Sequence, residues 1–214
     1  MRFKDGLGKA YRSVVRRPID VRNRARLRNW SPSVISNNCN GAVMLHDLGL
    51  PFMSPTVNLF IPFPDYIRFL KGLDGYLSLP QDALVEIAGG DKGYPVGMLD
   101  DIELDFMHYK SFDEAKNKWF ERAARVDREN LYVMLSQRDG CTRQDVERFG
   151  ELPFRHKVAL TAEPMPHVAC SYFNPKFTAG GGCLRVLSDY VSKFSGRRYL
   201  DDFDYVRFLN DEMF

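Results

Sequence analysis

Cys39 stands at the tip of a polar turn, Ser36-Asn37-Asn38-Cys39-Asn40-Gly41, between the short β-branched run Val34-Ile35 and a segment with helical spacing. A thiol there is a candidate nucleophile, because the N–H groups that open a helix, together with its macrodipole, favour a thiolate or an oxyanion. Histidine is suited to deprotonate a thiol near neutral pH, and His108 closes the run that begins at Leu99. Asp100, Asp101 or Asp139 would orient the second ring nitrogen, as triad logic requires. The catalytic set is therefore Cys39, His108, Asp101 and Asp139. Ser36, Asn37, Asn38, Asn40, Asp100, Tyr109, Arg122 and Arg138 form the substrate-binding set, with turn amides as oxyanion donors.

A second chemistry uses some of the same residues. Asp100-Asp101 would hold a divalent cation against a donor diphosphate, with Arg122, Arg125 and Arg138 neutralising its charge, in a glycosyl- or phosphosugar transferase. The spacing of Asp100, Asp101 and His108 matches no established ligand signature, so no metal ligands are assigned. In a third reading the protein is a non-catalytic accessory, and Cys39 is a small buried hydrophobe.

These residues need a scaffold, and the chain supplies an alternating one. Strand-like runs at Val34–Ser36, Thr56–Ile61, Ala83–Ile87, Ile102–Met107, Leu131–Leu135, Lys157–Thr161 and His167–Ser171 are interleaved with helical patterns at 41–48, 64–73, 112–126, 142–149, 184–194 and 201–210. The alternation predicts an α/β protein whose central mixed, largely parallel sheet has helices on both faces. In such folds ligands bind beyond the carboxyl ends of the strands. If the strand before His108 runs parallel to the first, then Cys39, His108 and Asp139 share that edge. The clearest helix starts at Ser111, a natural N-cap with Glu114 three residues on, and buries Phe112, Ala115, Trp119 and Ala123. Gly89-Gly90 and Gly180-Gly181-Gly182 read as turns, the latter without a dinucleotide-loop pattern.

The 214 residues, 44% hydrophobic and 27% charged, suit one soluble globular domain over 31–214 preceded by a basic segment over 1–30. Residues 1–30 carry ten Lys/Arg against Asp5 and Asp20, a net of +8, so the remainder is −6. Arginines interleaved with Tyr11, Val14, Val15, Ile19 and Leu27 could lie on an anionic membrane, or form a solvated segment in which Pro18 interrupts any long helix. No nucleic-acid module is apparent. The chain shows no apolar leader and no membrane-spanning run, which predicts a cytoplasmic location, with peripheral contact on the inner membrane face as the alternative. The four cysteines lack paired spacing and are read as reduced, Cys170 and Cys183 as packing residues.

Several ordered blocks then stand out: Ser36-Asn37-Asn38-Cys39, Leu48-Gly49-Leu50-Pro51, Ser54-Pro55-Thr56-Val57, Leu99-Asp100-Asp101-Ile102, His108-Tyr109, the segment Glu114-Ala115 to Lys118-Trp119, Arg138-Asp139-Gly140-Cys141 and Leu152-Pro153. Over roughly residues 31 to 163 they resemble a bacterial domain-of-unknown-function family labelled exopolysaccharide or capsular polysaccharide biosynthesis protein. The resemblance implies a three-layer α/β/α fold and a surface-polysaccharide context. It supplies no reaction. This chain has Asn40-Gly41-Ala42 where members often have an aromatic and a second glycine, and Arg122-Ala123 where they tend to have paired arginines. The turn is also similar, at the level of a site, to a strand-turn-helix of cysteine-dependent polysaccharide acyltransferases related to SGNH esterases. The leading expectation is thus a glycan O-acyltransferase with a Cys39 nucleophile. Its donor would be an acyl-CoA, or a nucleotide-sugar in the alternative chemistry, and its partner a glycan or activated sugar.

Overall fold

The computed structural model describes residues 2–88, 92–179 and 182–213. The turns expected at Gly89-Gly90 and Gly180-Gly181 lie outside the described residues. A long helix, α1 (Arg2–Arg26), leads into β1 (Ser33–Ser36) and α2 (Asn40–Leu48). Two short helices, α3 (Asp65–Lys71) and α4 (Leu73–Ser78), precede β2 (Leu84–Ile87), β3 (Val96–Leu99) and β4 (Ile102–Asp105). Then come α5 (Phe112–Ala123), β5 (Leu131–Ser136), α6 (Arg143–Gly150), β6 (His156–Thr161), β7 (Ser171–Phe173) and α7 (Tyr205–Leu209).

The central layer is a parallel sheet in the order β1-β5-β6-β7, with Ser33 opposite Leu131 and Val133 opposite Lys157. Every residue of β1 and β5 is buried, as expected for strands covered on both faces, which explains their continuous apolar runs. Alternate residues serve opposite layers. Ile35, Val133, Leu135 and Ala159 pack with Tyr66 and Phe69 of α3, Trp119 of α5 and Phe149 of α6. Val34, Tyr132, Met134, Val158 and Leu160 face Met44, Leu45 and Leu48 of α2 and Phe208 and Leu209 of α7. The architecture is α/β, with three layers.

Four expectations are corrected. The strand expected to carry His108 is not in the parallel sheet: β2, β3 and β4 form a separate antiparallel sheet beneath the α3/α5 layer. The unforeseen β3 pairs Leu99 with Ile102, so Asp100-Asp101 is the two-residue turn of a hairpin, Asp100 sitting at φ 55°. Thr56–Ile61 is no strand. With Pro51, Pro55, Pro62 and Pro64 around it, the segment covers the open edge of β1 through side chains: the Ser54 hydroxyl donates to Val34 O and Thr56 Oγ1 accepts from Ser36 N at 3.1 Å. Residues 184–194 are irregular, and His167–Cys170 is a turn before β7.

The fourth correction concerns the amino-terminal segment. Helix α1 runs through Pro18, because residues on both sides of it are tied to the carboxyl-terminal segment. Arg16 is 3% exposed; its guanidinium donates to Asp201 at 2.9 and 3.0 Å and to Gly196 O at 2.9 Å, and lies 2.7 Å from Asp47 Oδ2. Beyond the proline, Asn23 Nδ2 donates to the Tyr205 hydroxyl at 2.9 Å, and Arg26 pairs with Asp204. Arg24 Nε donates to Leu48 O at 3.0 Å. Three arginines of the basic run, Arg16, Arg26 and Arg28, are therefore matched by carboxylates of the tail, while Arg17 and Arg22 stay exposed.

Candidate functional site

The carboxyl ends of β1 and β5 are joined by a side chain. Asn37, fully buried, accepts from Ser136 N at 2.9 Å and donates to Ser136 O at 3.3 Å, extending the ladder by one amide in place of backbone. Its own carbonyl accepts from Ile61 N at 3.0 Å. Ser36 is buried beside it. Both are buried in the scaffold, the Ser36 hydroxyl without a hydrogen-bond partner among the described residues. Helix α2 then starts hard against β1: a Cβ on Gly41 would meet Ser36 Cβ at 3.0 Å and Val34 Cγ1 at 3.1 Å, so only glycine lets the first turn ride this low. Asn38 Oδ1 accepts from Asn40 N at 3.0 Å, which removes that amide from the expected oxyanion donors.

Cys39 occupies the N-cap without a side-chain capping bond, half-buried, its Sγ 4.0 Å from Leu59 O. Burial pushes its thiol up to about 11. The helix start thus does not by itself yield a thiolate, and a base must take the proton during attack.

A cleft of about 560 Å³ opens here. Asn38, Cys39 and Asn40 line one wall, and Arg138 and Asp139, after β5, the next. Phe60, Tyr94, Asp105, Met107 and His108 form the side supplied by the antiparallel sheet, and Val186–Asp189 close the rim. Cys39, His108 and Asp139 do share one cleft, by a different route from that expected. His108 lies in the turn beyond β4, its N–H donating to Asn58 O at 3.3 Å, so the bridge Phe60–Asp105 brings it there and not parallel pairing.

Other candidates are elsewhere. Asp101 is at the opposite end of β4 from His108, with about 13 Å of strand between them at about 3.3 Å per residue, and cannot orient its ring. It accepts from Tyr76 at 2.5 Å and lies 3.4 Å from Arg68 Nε; burial and this contact push the Tyr76 hydroxyl up to about 12. Asp100 N–H donates to Ala83 O at 3.2 Å. The Asp100-Asp101 metal clamp is therefore replaced by hairpin chemistry outside the cleft, and among the described residues no three His, Cys, Asp or Glu are grouped to hold a metal. Tyr109 donates to Val57 O at 3.0 Å and accepts from Arg122 at 2.7 Å, while Arg122 stacks on Phe52 at 5.4 Å; the pair braces the segment over β1. Burial raises the Tyr109 hydroxyl, against the lowering effect of Arg122. Lys118 and Arg125 both bind Glu121, so no phosphate clamp forms on α5. Asp139 chelates the Arg138 fork at 2.7 and 3.1 Å from a left-handed turn shared with Gly140.

Sequence reasoning missed Phe60, Tyr94, Asp105, Met107 and Val186–Asp189. Asp105 had one cue, its alternation with Glu103 and Asp101 along the strand; its side chain is 5% exposed and bound by Lys92 Nζ at 2.8 Å. Of the remaining residues, His156 stacks on Tyr132 at 4.7 Å, His167 pairs with Glu147 at 3.0 Å and His46 is exposed beside Asp47. Cys170 packs as expected, whereas Cys183 is exposed. No helix among the described residues is long and apolar enough to cross a membrane.

A family model described as "Domain of unknown function (DUF1919)" matches residues 10–210. An "Uncharacterized protein" of Haemophilus influenzae is 37% identical over 209 residues, 98% of this chain and 97% of its own length. Neither description names a substrate or a reaction.

Proposed function

This chain belongs to the DUF1919 family, and we propose that it is an acyltransferase modifying a bacterial surface glycan, with Cys39 carrying the acyl group. The observation that supports this reading is the joint presence of Cys39 and His108 in one cleft at the carboxyl edge of a parallel sheet. With its thiol raised to about 11, Cys39 needs a partner that accepts a proton, and His108 is the histidine in the cleft wall. His108 takes the thiol proton as the sulfur attacks the donor carbonyl. The bond from that carbonyl to the leaving oxygen or sulfur breaks, and the leaving group takes the proton from His108. The acceptor hydroxyl next gives its proton to His108 while its oxygen attacks the thioester, and the departing thiolate of Cys39 recovers that proton. N–H groups in the opening turn of α2 face the charge that develops on the carbonyl oxygen.

The glycan context comes from the resemblance of the signature blocks. Peripheral contact with an anionic membrane belongs to the same proposal: Tyr11, Val14 and Val21 are exposed on α1, next to Arg17 and Arg22. The test is intact-protein mass measurement after exposure to acetyl-CoA or p-nitrophenyl acetate. One acetyl group on the wild type and none on Cys39→Ala is the expected result. Glycan acetylation that continues unchanged in Cys39→Ala would remove the nucleophile.

A further inference from the structure

We infer that a face built jointly by α1 and the tail docks on an anionic lipid bilayer, with Phe194 as its anchor. The inference rests on the peripheral contact proposed above for α1 and adds a second element to it. Residues 189–199 double back as a short hairpin: Tyr190 bridges Arg198, and Val191 N donates to Arg197 O at 2.9 Å. Its tip is fastened to α1. The Tyr11 hydroxyl donates to Phe194 O at 3.4 Å, Arg16 donates to Gly196 O at 2.9 Å, and a Cβ on Gly196 would fall 2.5 Å from Val15 O. Only glycine lets the tip lie that close. Phe194 is left 81% exposed beside Tyr11, more than any other large apolar side chain among the described residues.

That ring extends a line of apolar side chains. Tyr11, Val14, Pro18, Val21 and Ala25 recur at every third or fourth position of α1, all exposed, on the side opposite the buried Arg16 and Asn23. From Tyr11 to Val21 the line is about 15 Å long at about 1.5 Å per residue. Charge selects what covers it. Arg17 and Arg22 flank the line and Lys193 adjoins Phe194, all exposed and without a carboxylate partner among the described residues. Asp20, the acid of this stretch, turns inward to Arg16 at 3.1 Å. A second copy seated on the same face would set arginines against arginines. A bilayer of anionic lipid suits both features: apolar side chains enter the acyl boundary, aromatic rings sit at headgroup depth and the cations meet the headgroups. Docking this way also fixes the cleft. Asp189, at its rim, precedes Phe194 by five residues, so at most about 18 Å of chain separates the cleft rim from the anchor.

Co-sedimentation of the full chain with vesicles tests this, comparing phosphatidylcholine alone with a phosphatidylcholine and phosphatidylglycerol mixture. The wild type should bind the anionic vesicles about tenfold or more tighter than the neutral ones, since each cation at the surface adds to the attraction. Phe194→Ala should weaken that binding about tenfold, the loss of one buried aromatic ring, with thermal unfolding unchanged because the ring is exposed in the free protein. Val14→Asp should weaken it as well, whereas Val85→Ser, exposed on β2 of the separate antiparallel sheet, should leave it as it is. Equal affinity for both vesicles, binding to neither, or a monomer–dimer equilibrium that Val14→Asp abolishes in place of vesicle binding would overturn the inference. Anionic binding that Val14→Asp removes and Phe194→Ala leaves intact would overturn it too, while keeping the contact of α1. Vesicle binding that depends on Phe194, without any acetylation of Cys39 by p-nitrophenyl acetate, would sustain it and sink the transferase.

Discussion

Replacing Arg16 with methionine should be among the most damaging single changes outside the cleft. The guanidinium is 3% exposed and reaches Asp201, Asp47 and Gly196 O, and its Nε lies 3.1 Å from Asp20 Oδ1 without hydrogen-bond alignment. Burial opposes its charge, yet the Asp201 and Asp47 contacts outweigh this and hold its pKa above the usual value. Methionine keeps the stem's volume and removes the charge, so the carboxylates remain buried with Arg198, 3.0 Å from Asp47, as their remaining arginine. Breaking a buried ion pair by removing one partner costs about 3–5 kcal/mol. In a chain of this size each kcal/mol lowers Tm by about 2–4 °C, so a fall of about 6–20 °C is expected. Thermal unfolding followed by circular dichroism measures it. Adding Asp201→Asn should recover part of the loss, since the orphaned charge goes with it. A Tm drop of less than about 2 °C, or no recovery in the double variant, would refute the view that this cluster clamps α1 to the tail.

Alkylation of Cys39 by iodoacetamide should rise towards an inflection near 11, and at pH 7 run about a hundredfold slower than for an unshifted thiol of pKa 9.0; an inflection near 9.0 would show that the thiol is not held protonated by burial. Gly41→Ala should lower stability by about 1–3 kcal/mol in urea unfolding and slow Cys39 acetylation, because the added methyl lifts α2 from β1. Asn37→Ala leaves the Ser136 N–H and C=O without their side-chain partner and should cost about 1–3 kcal/mol; unchanged stability would mean that the amide bridge is idle. For Asp20, burial raises the folded-state pKa above 3.8, so its contribution to stability increases as pH falls through the folded pKa towards the unfolded one. Asp20→Asn should abolish that increment, seen as a stability difference from wild type that narrows on acidification.

Local chemistry was readable wherever local contacts decide. The apolar runs at 33–36 and 131–136 became two fully buried, paired strands, and Ser111 caps α5 through a 3.3 Å bond from Glu114 N. Thr142 and Asp145 form the capping box of α6, and of the stripe that the helical spacing required Ala115, Trp119 and Ala123 are buried while Phe112, in the first turn, is only half-buried. The thiol turn likewise fell where a strand-turn-helix puts it. Partnership was not readable. Whether Ile102–Asp105 joins the parallel sheet or folds back on Val96–Leu99 depends on pairing across a hairpin, which the alternation of Asp101, Glu103 and Asp105 leaves open. Arg16 looked like its arginine neighbours, and only the approach of a tail some 185 residues away turns it from a solvated charge into a buried one. The cleft is the same kind of fact. The sequence by itself determined the elements and the residue types at their ends, because hydrogen bonds, rotamers and caps act within a few residues. Tertiary packing decided which ends meet and which charges lose water, because burial and pairing are properties of surfaces brought together from distant parts of the chain.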